Sequence, residues 1–189
     1  AQLGLVNIAD HVTGAQVGLV NIARTSTGTQ LGLVNLADSS TAPIGLVSLV
    51  RDGQYGVGVV ASDLTLLGIE ARAGSRHVFT QVRVGANPWL SSTGMLPVGQ
   101  LTIGATLPLL TGEGRTGVGI DVDGGVGLIG LQPYSTIEAR VRWRALEHFE
   151  ISVGPELRVL GRHGHLPLDN VVVAGDVAIW PGVVVGVGL

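Results

Sequence analysis

The sequence predicts an all-β protein with two parts: an N-terminal module of stacked 14-residue β-repeats, followed by an antiparallel up-and-down β-barrel of about eight strands. One observation is the repeat itself, and another is the strict alternation of polar and apolar residues after it. The composition supports the same class, because 46% of the residues are hydrophobic, 13% are charged and 30 of 189 are glycine. A chain so apolar is not intrinsically disordered, and the lack of a Gly-X-Y period excludes collagen.

The repeat copies read QLGLVNIADHVTGA, QVGLVNIARTSTGT, QLGLVNLADSSTA and a degenerate PIGLVSLVRDGQ. Each contains a seven-residue strand candidate followed by a polar turn-forming segment. One copy cannot bury its own apolar face, so three or more must stack. Stacking in register predicts two amide ladders, formed by Asn7, Asn21 and Asn35 and by Gln2, Gln16 and Gln30. Such amides satisfy neighbouring polar groups; a ligand-binding row is the alternative. We assign residues 1–53 to this module and 54–189 to the barrel.

Period-two alternation defines the barrel strands. In residues 136–144, Thr, Glu and Arg side chains alternate with Ile, Ala, Val and Trp, and residues 150–159 repeat the pattern. A soluble barrel would keep the apolar face inside, whereas a membrane barrel turns it outwards and encloses the polar face. Candidate strands of about 9–12 residues match the length needed to cross a bilayer, and the low charge favours the membrane form. A solvated strand face remains the alternative.

The charges on the polar face are nearly balanced, as a small lumen filled by paired side chains requires, because unpaired buried charge is costly. We predict a lumen charge network of Glu70, Arg72, Asp121, Asp123, Glu138, Arg140, Arg142, Glu156 and Arg158. A small barrel filled in this way is plugged or very narrow. The expected interface anchors are Trp89, Tyr134, Trp143, Phe149 and Trp180. We read residues 171–189 as two short strands broken at residues 180–182, in preference to a membrane-spanning helix.

The sequence contains no strong motif for a catalytic site. The absence of cysteine excludes thiolate sites, and the net charge of −3 argues against nucleic-acid binding. Residues 112–117 match GxGxxG, but a strand follows, which favours a hairpin turn over a dinucleotide site. His163, His165 and Asp169 could ligate a metal, although an HxH in a Gly-rich turn is more typical of a solvated loop. Neighbouring arginines make Glu138 and Glu150 a structural pair rather than an acid/base pair. We therefore predict no enzyme, no cofactor and no metal.

The repeats resemble those of the bacterial surface-repeat proteins of spirochaetes and myxobacteria, in which Gly-Leu-Val-Asn repeats accompany an outer-membrane-type barrel. The resemblance covers residues 2 to about 50, and residues 74–88 more loosely. It implies a location in the bacterial outer membrane or at the cell surface, with the lipid bilayer as partner, but no activity. Homo-oligomers could form through repeat or strand edges. The alternative function is a self-assembling subunit of an extracellular fibre or sheath, built by strand stacking of the repeats.

Overall fold

The computed structural model describes residues 1–90, 94–111, 116–146, 149–161, 171–174 and 176–189. Within these residues the regular structure is thirteen β-strands and one short 3-10 helix, Pro88–Leu90, so the prediction of an all-β fold is confirmed. The strands are β1 Gln2–Leu3, β2 Val6–Val12, β3 Ala15–Val17, β4 Val20–Val50, β5 Gln54–Ser62, β6 Leu67–Gly74, β7 Val78–Asn87, β8 Leu96–Thr111, β9 Gly117–Ile129, β10 Gln132–Leu146, β11 Phe149–Gly161, β12 Val172–Ala174 and β13 Val177–Gly188.

The chain divides into two compact units. Unit 1 comprises residues 1–56, 72–81 and 103–106, and unit 2 comprises 57–71, 82–102 and 107–189. Unit 1 therefore contains the whole repeat together with the end of β6, the start of β7 and a short piece of β8. Within unit 1, Thr80 Oγ1 donates to the Gly45 carbonyl at 2.6 Å, and Ser75 Oγ donates to the Thr41 carbonyl at 2.9 Å. The last repeat copy is thus hydrogen-bonded to the β6–β7 segment.

The repeat copies stack as parallel strands in a register of 14 residues. Gln2 pairs with Gln16, Asn7 with Asn21, and Gln16 with Gln30. The structure differs from the expected separate short strands, because the later copies form one continuous strand, β4, of 31 residues. β4 winds through successive copies, since one part of it pairs with β2 and the next with β3. β4 is unbroken from Val20 to Val50, although it crosses the boundaries between successive copies.

Eight antiparallel strands form the predicted barrel. β5 to β11 follow one another in sequence order, β13 pairs with β5, and the pairing of β11 with β13 closes the sheet. Among the described residues, the short strand β12 pairs with β13 alone. Consecutive strands that are neighbours in a closed sheet give the up-and-down topology, and closure removes the exposed edges that an open sheet would have.

The two faces of the barrel strands have opposite chemistry. Along β10, Thr136, Glu138, Arg140 and Arg142 are buried. The residues between them point away from the interior, and Ile137, which is 62% exposed, is an example. The same outward position is held by many aliphatic side chains of unit 2, including Val57, Val59, Ile69, Val84, Val122, Val126, Leu128, Val141, Val153, Leu157, Val183, Val185 and Val187. The barrel is therefore aliphatic outside, and much of its inward face is polar and charged.

An apolar cluster fills part of the interior of unit 2. Its buried members are Leu64, Leu90, Val98, Ile129, Tyr134, Leu160 and Trp180. The expectation that Tyr134 and Trp180 serve as interface anchors is wrong, because they are only 3% and 4% exposed. Tyr134 and Trp180 have even residue numbers, and the even-numbered residues of β10 and β13 are the ones that face the interior. Trp89 and Trp143 are exposed, and Phe149 is half-buried.

The expected break at residues 180–182 is also absent, because β13 runs through Pro181. Trp180, Pro181 and Gly182 pair with β11. On the other side, β12 pairs only as far as Ile179 and β5 begins to pair at Val184. Within the described ranges, Pro181 thus lies where β13 has a paired neighbour on one side only, and there a missing N–H is tolerated.

Candidate functional site

The repeat module holds two amide ladders of opposite direction. Asn7 Nδ2 donates to Asn21 Oδ1 at 2.8 Å, and Asn21 Nδ2 donates to Asn35 Oδ1 at 2.9 Å. The glutamine ladder runs the other way: Gln16 Nε2 donates to Gln2 Oε1 at 2.7 Å, and Gln30 Nε2 donates to Gln16 Oε1 at 3.0 Å. The inner amides are fully buried. Each buried amide is hydrogen-bonded to a neighbouring copy, so the ladders fix the register of the stack.

A row of glycines lies beside the asparagine ladder. A Cβ on Gly18 would lie 2.3 Å from the Gly4 carbonyl oxygen and 2.7 Å from Asn7 Nδ2. Gly32 and Gly45 have equivalent contacts with the copy before them. Each asparagine Nδ2 also donates to a backbone carbonyl of the next copy, as Asn7 does to Val17 at 3.0 Å. Glycine is needed at these positions because the backbone of one copy approaches the ladder of the preceding one.

Neither ladder continues into the fourth copy. Pro43 and Ser48 occupy the glutamine and asparagine positions, after a shortening of the period by one residue. Ser48 Oγ accepts from Asn35 Nδ2 at 3.2 Å and donates to the Pro43 carbonyl at 3.2 Å. Ser40 Oγ donates to Gln30 Oε1 at 3.0 Å. Short hydroxyl side chains thus satisfy the last amides where the repeat gives way to the barrel strands.

One side of the repeat module forms an open groove with a volume of about 700 Å³. Its floor is aliphatic, built from Ile8, Ile22, Leu36 and Leu49 of successive copies. A row of alternating charge borders it, formed by Asp10, Arg24, Asp38 and Arg51. Arg24 lies 3.7 Å from Asp10, and Arg51 lies 3.9 Å from Asp38. These ion pairs are exposed and contribute little stability, but they match opposite charges between neighbouring copies.

The lumen of unit 2 contains a buried network of ion pairs. At its centre, Arg83 donates two hydrogen bonds of 2.9 Å to the two oxygens of Glu138. Gln100 Nε2 donates to the same carboxylate. Arg140 Nη1 donates to both oxygens of Glu70 at 3.1 Å, and Arg83 reaches Glu70 at 3.3 Å. The two parallel hydrogen bonds from Arg83 to Glu138 are the bidentate, strong form of the arginine–carboxylate pair.

Further pairs extend the network on both sides of this centre. Arg158 donates to both oxygens of Asp63 at 3.0 Å and also to Glu156. The Arg158 guanidinium lies 4.8 Å from the centroid of the Trp180 ring, a distance suited to a cation–π contact. Elsewhere Arg142 pairs with Asp121, and Arg144 Nη2 donates to Glu150 at 2.9 Å. The carboxylates of the lumen are therefore held by arginine.

Glycines on the inward face of β13 make room for these long side chains. A Cβ on Gly182 would lie 2.2 Å from Asp63 Oδ1, and one on Gly186 would lie 2.8 Å from Ser152 Oγ. Tyr134 similarly packs against Gly127 on the neighbouring strand, where a Cβ would lie 2.3 Å from the ring. Part of the high glycine content thus serves lumen packing rather than turns.

The structure places the sequence-predicted charges as follows. Asp121, Asp123, Glu138, Arg140, Arg142, Glu156 and Arg158 are buried in unit 2, and Glu70, which is partly buried there, contacts Arg83 and Arg140. Arg72 is buried in unit 1, where its guanidinium lies 3.7 Å from the Phe79 centroid and donates to Gln81 at 3.3 Å.

The predicted network did not include Arg83, Asp63 or Gln100. Gln100 and Thr102 are both buried, and the alternation of residues 97–109 was the signal that could have found them. Asp63 follows the end of β5, outside any periodic pattern, so the sequence gives no sign that it pairs with Arg158.

The structure does not describe the remaining candidate sites, which are a metal site and a glycine-rich motif. His163, His165 and Asp169, and residues 112–115 of the glycine-rich turn, lie outside the described residues. In the part of the chain that the structure describes, no group of three or more His, Cys, Asp or Glu side chains could hold a metal ion. The same part contains no helix long and apolar enough to span a membrane. Comparison with known proteins found no matching family model, curated protein or solved structure.

Proposed function

We propose that the protein is a non-enzymatic β-barrel of the bacterial outer membrane or cell surface, with a structural or envelope role. The observation that supports this most is the inverted barrel: ion pairs fill the interior, and aliphatic side chains cover the outside of β9, β10, β11 and β13. A soluble barrel has the opposite arrangement, because water favours polar groups on the exterior. Lipid is the environment in which this exterior is stable.

The dimensions and the surface agree with this proposal. β9, β10, β11 and β13 contain 13, 15, 13 and 12 residues, enough for a tilted strand to cross the hydrocarbon core. Monomeric soluble proteins rarely expose contiguous apolar patches larger than a few hundred Å². The resemblance of the repeats to bacterial surface-repeat proteins favours the same location.

A non-enzymatic role fits the side-chain chemistry of the lumen. Catalytic carboxylates need freedom to exchange protons with a substrate. Here Glu138 is held by Arg83 and Gln100, and Glu150 by Arg144, which leaves these carboxylates in structural pairs. The buried ion pairs and the apolar cluster together occupy the small lumen, so the function we favour is mechanical or envelope-related rather than transport.

A second candidate function is a fibre or sheath subunit, favoured by the parallel edge strands β1 and β2 of the repeat. Cell fractionation followed by purification with and without detergent separates the two. A membrane barrel sediments with envelopes and is released by detergent as a discrete particle. Filaments that pellet without detergent, seen in negative stain, would favour the fibre. A monodisperse protein that stays soluble without detergent would contradict the membrane proposal.

A further inference from the structure

The groove of the repeat module is an exposed apolar surface with a charged border. In each of the first three copies, an isoleucine or leucine is followed by an alanine and then by a charged residue. Ile8 and Leu49, in the first and fourth copies of the aliphatic floor, are 69% and 44% exposed. Exposed apolar surface that is rimmed by polar residues is typical of a site that binds a protein or a membrane. The groove is therefore a candidate docking surface.

The charges at this border alternate in sign from one copy to the next. They are Asp10, Arg24, Asp38 and Arg51 in the first to fourth copies. Their side chains are between 56% and 80% exposed, and the ion pairs of Arg24 with Asp10 and of Arg51 with Asp38 are 3.7 and 3.9 Å long. Because these pairs are long and open to water, the four charges are available to a partner.

The order of these charges is self-complementary. A two-fold axis parallel to the strands turns a second groove onto the first, reverses the order of the copies and keeps each row opposite its own equivalent. The first copy then faces the partner's fourth copy, and the second copy faces the third. Asp10 lies opposite Arg51 of the partner subunit, Arg24 lies opposite Asp38 of the partner subunit, and the symmetry repeats both pairs. The same operation brings the two aliphatic floors together.

We propose that the groove binds the groove of a second copy of this chain and so forms a two-fold dimer. The order of the charges favours this occupant over others. Two grooves with their copies in the same order would place like charges opposite each other, which is strongly unfavourable. A lipid surface would cover the aliphatic floor, but it carries no ordered row of charges with which these four could pair in register. The interface uses the side of the stack and not its ends, and it rests on unit 1 alone rather than on the proposed membrane role.

Charge reversal in the two central copies tests the pairing. Analytical ultracentrifugation measures the dimer dissociation constant of the full chain in detergent micelles, and in plain buffer for a chain that stays soluble without detergent. We expect the native chain to dimerise. R24E and D38R should each raise the dissociation constant at least about tenfold, because each sets two like-charge pairs across the axis. Mixing the two variants should restore the dimer, since both central pairs are then opposite in charge.

The double variant R24E/D38R separates pairing between subunits from pairing within one stack. Like the single variants, it loses ion pairs within the stack, because Arg24 pairs with Asp10 and Arg51 pairs with Asp38. Across the axis it has opposite charges again, so its dissociation constant should be at least about tenfold lower than those of the single variants. The control R76E reverses an exposed charge outside the groove and should leave the constant unchanged. Circular dichroism checks that all variants are folded, as expected for changes to exposed charges.

Two results would overturn the inference. One is a chain that stays monomeric up to about 100 μM. If a fluorescent label at Ala9→Cys in that monomer is quenched by brominated acyl chains, lipid is the occupant instead. The other result is a dimer that ignores both single reversals, or whose affinity the double variant fails to recover, because the charges would then not pair across the axis.

Discussion

At the scale of single residues, the buried pair of Arg83 and Glu138 offers the clearest stability prediction. Glu138→Gln removes the negative charge that two Arg83 hydrogen bonds of 2.9 Å reach and leaves that guanidinium in excess inside the barrel. Breaking a buried pair in this way costs about 3–5 kcal/mol. Unfolding in urea with the protein in lipid vesicles measures the loss. The control Asp10→Asn removes an exposed pair and should change the stability by less than about 1 kcal/mol. Equal effects of the two variants would contradict a buried network.

The asparagine ladder gives a second residue-scale prediction. Asn21→Leu removes the acceptor of Asn7 and the donor of Asn35, and we expect a loss of about 1–3 kcal/mol from the partner groups left unsatisfied. Thermal unfolding followed by circular dichroism, or hydrogen exchange of the repeat amides, measures it. Asp38→Asn alters an exposed ion pair of the same module, outside both ladders, and serves as the control. An unchanged midpoint for Asn21→Leu would indicate that water already satisfies the ladder.

At the scale of elements, the outward face of β10 tests where lipid lies. Val141 points outwards between the buried side chains of Arg140 and Arg142. Val141→Arg should cost about 2–4 kcal/mol if this position lies near the bilayer midplane. The unfolding free energy in vesicles gives the value, with Val141→Leu as the apolar control. A cost below about 0.5 kcal/mol would place Val141 in water.

The sequence was sufficient to predict the structure where a single residue pattern runs through a whole element. The period of 14 residues gave the parallel register of Asn7 and Asn21, and alternation gave the inward face of β10. It was insufficient where the outcome depends on which strands become neighbours. Pro181 reads as a strand break, but β13 continues because its partner β11 lies on one side there. Asp63 has no local pattern, and only closure of the barrel brings it to Arg158.

At the scale of the whole molecule, the filled interior of unit 2 predicts an absence of porin-like conductance. The apolar cluster around Trp180 and the ion pairs around Arg83 occupy the lumen of an eight-stranded barrel, which is just wide enough for side chains to fill. In planar bilayers we expect no open-channel currents after insertion, with a larger porin as positive control. Stable, reproducible conductance steps would show that the interior is not plugged.

The orientation of the outward face towards lipid is the central claim, and single cysteines test it most directly because the chain contains none. Val153→Cys places a fluorescent label on the outward face of β11, and Asp10→Cys places the same label beside the exposed ion pair of the repeat. Both variants are reconstituted into vesicles whose acyl chains are brominated. The label at residue 153 should be strongly quenched by the lipid and protected from water-soluble quenchers, whereas the label at residue 10 should show the reverse. A label at residue 153 that is unquenched by the acyl chains and open to aqueous quenchers would contradict the membrane barrel.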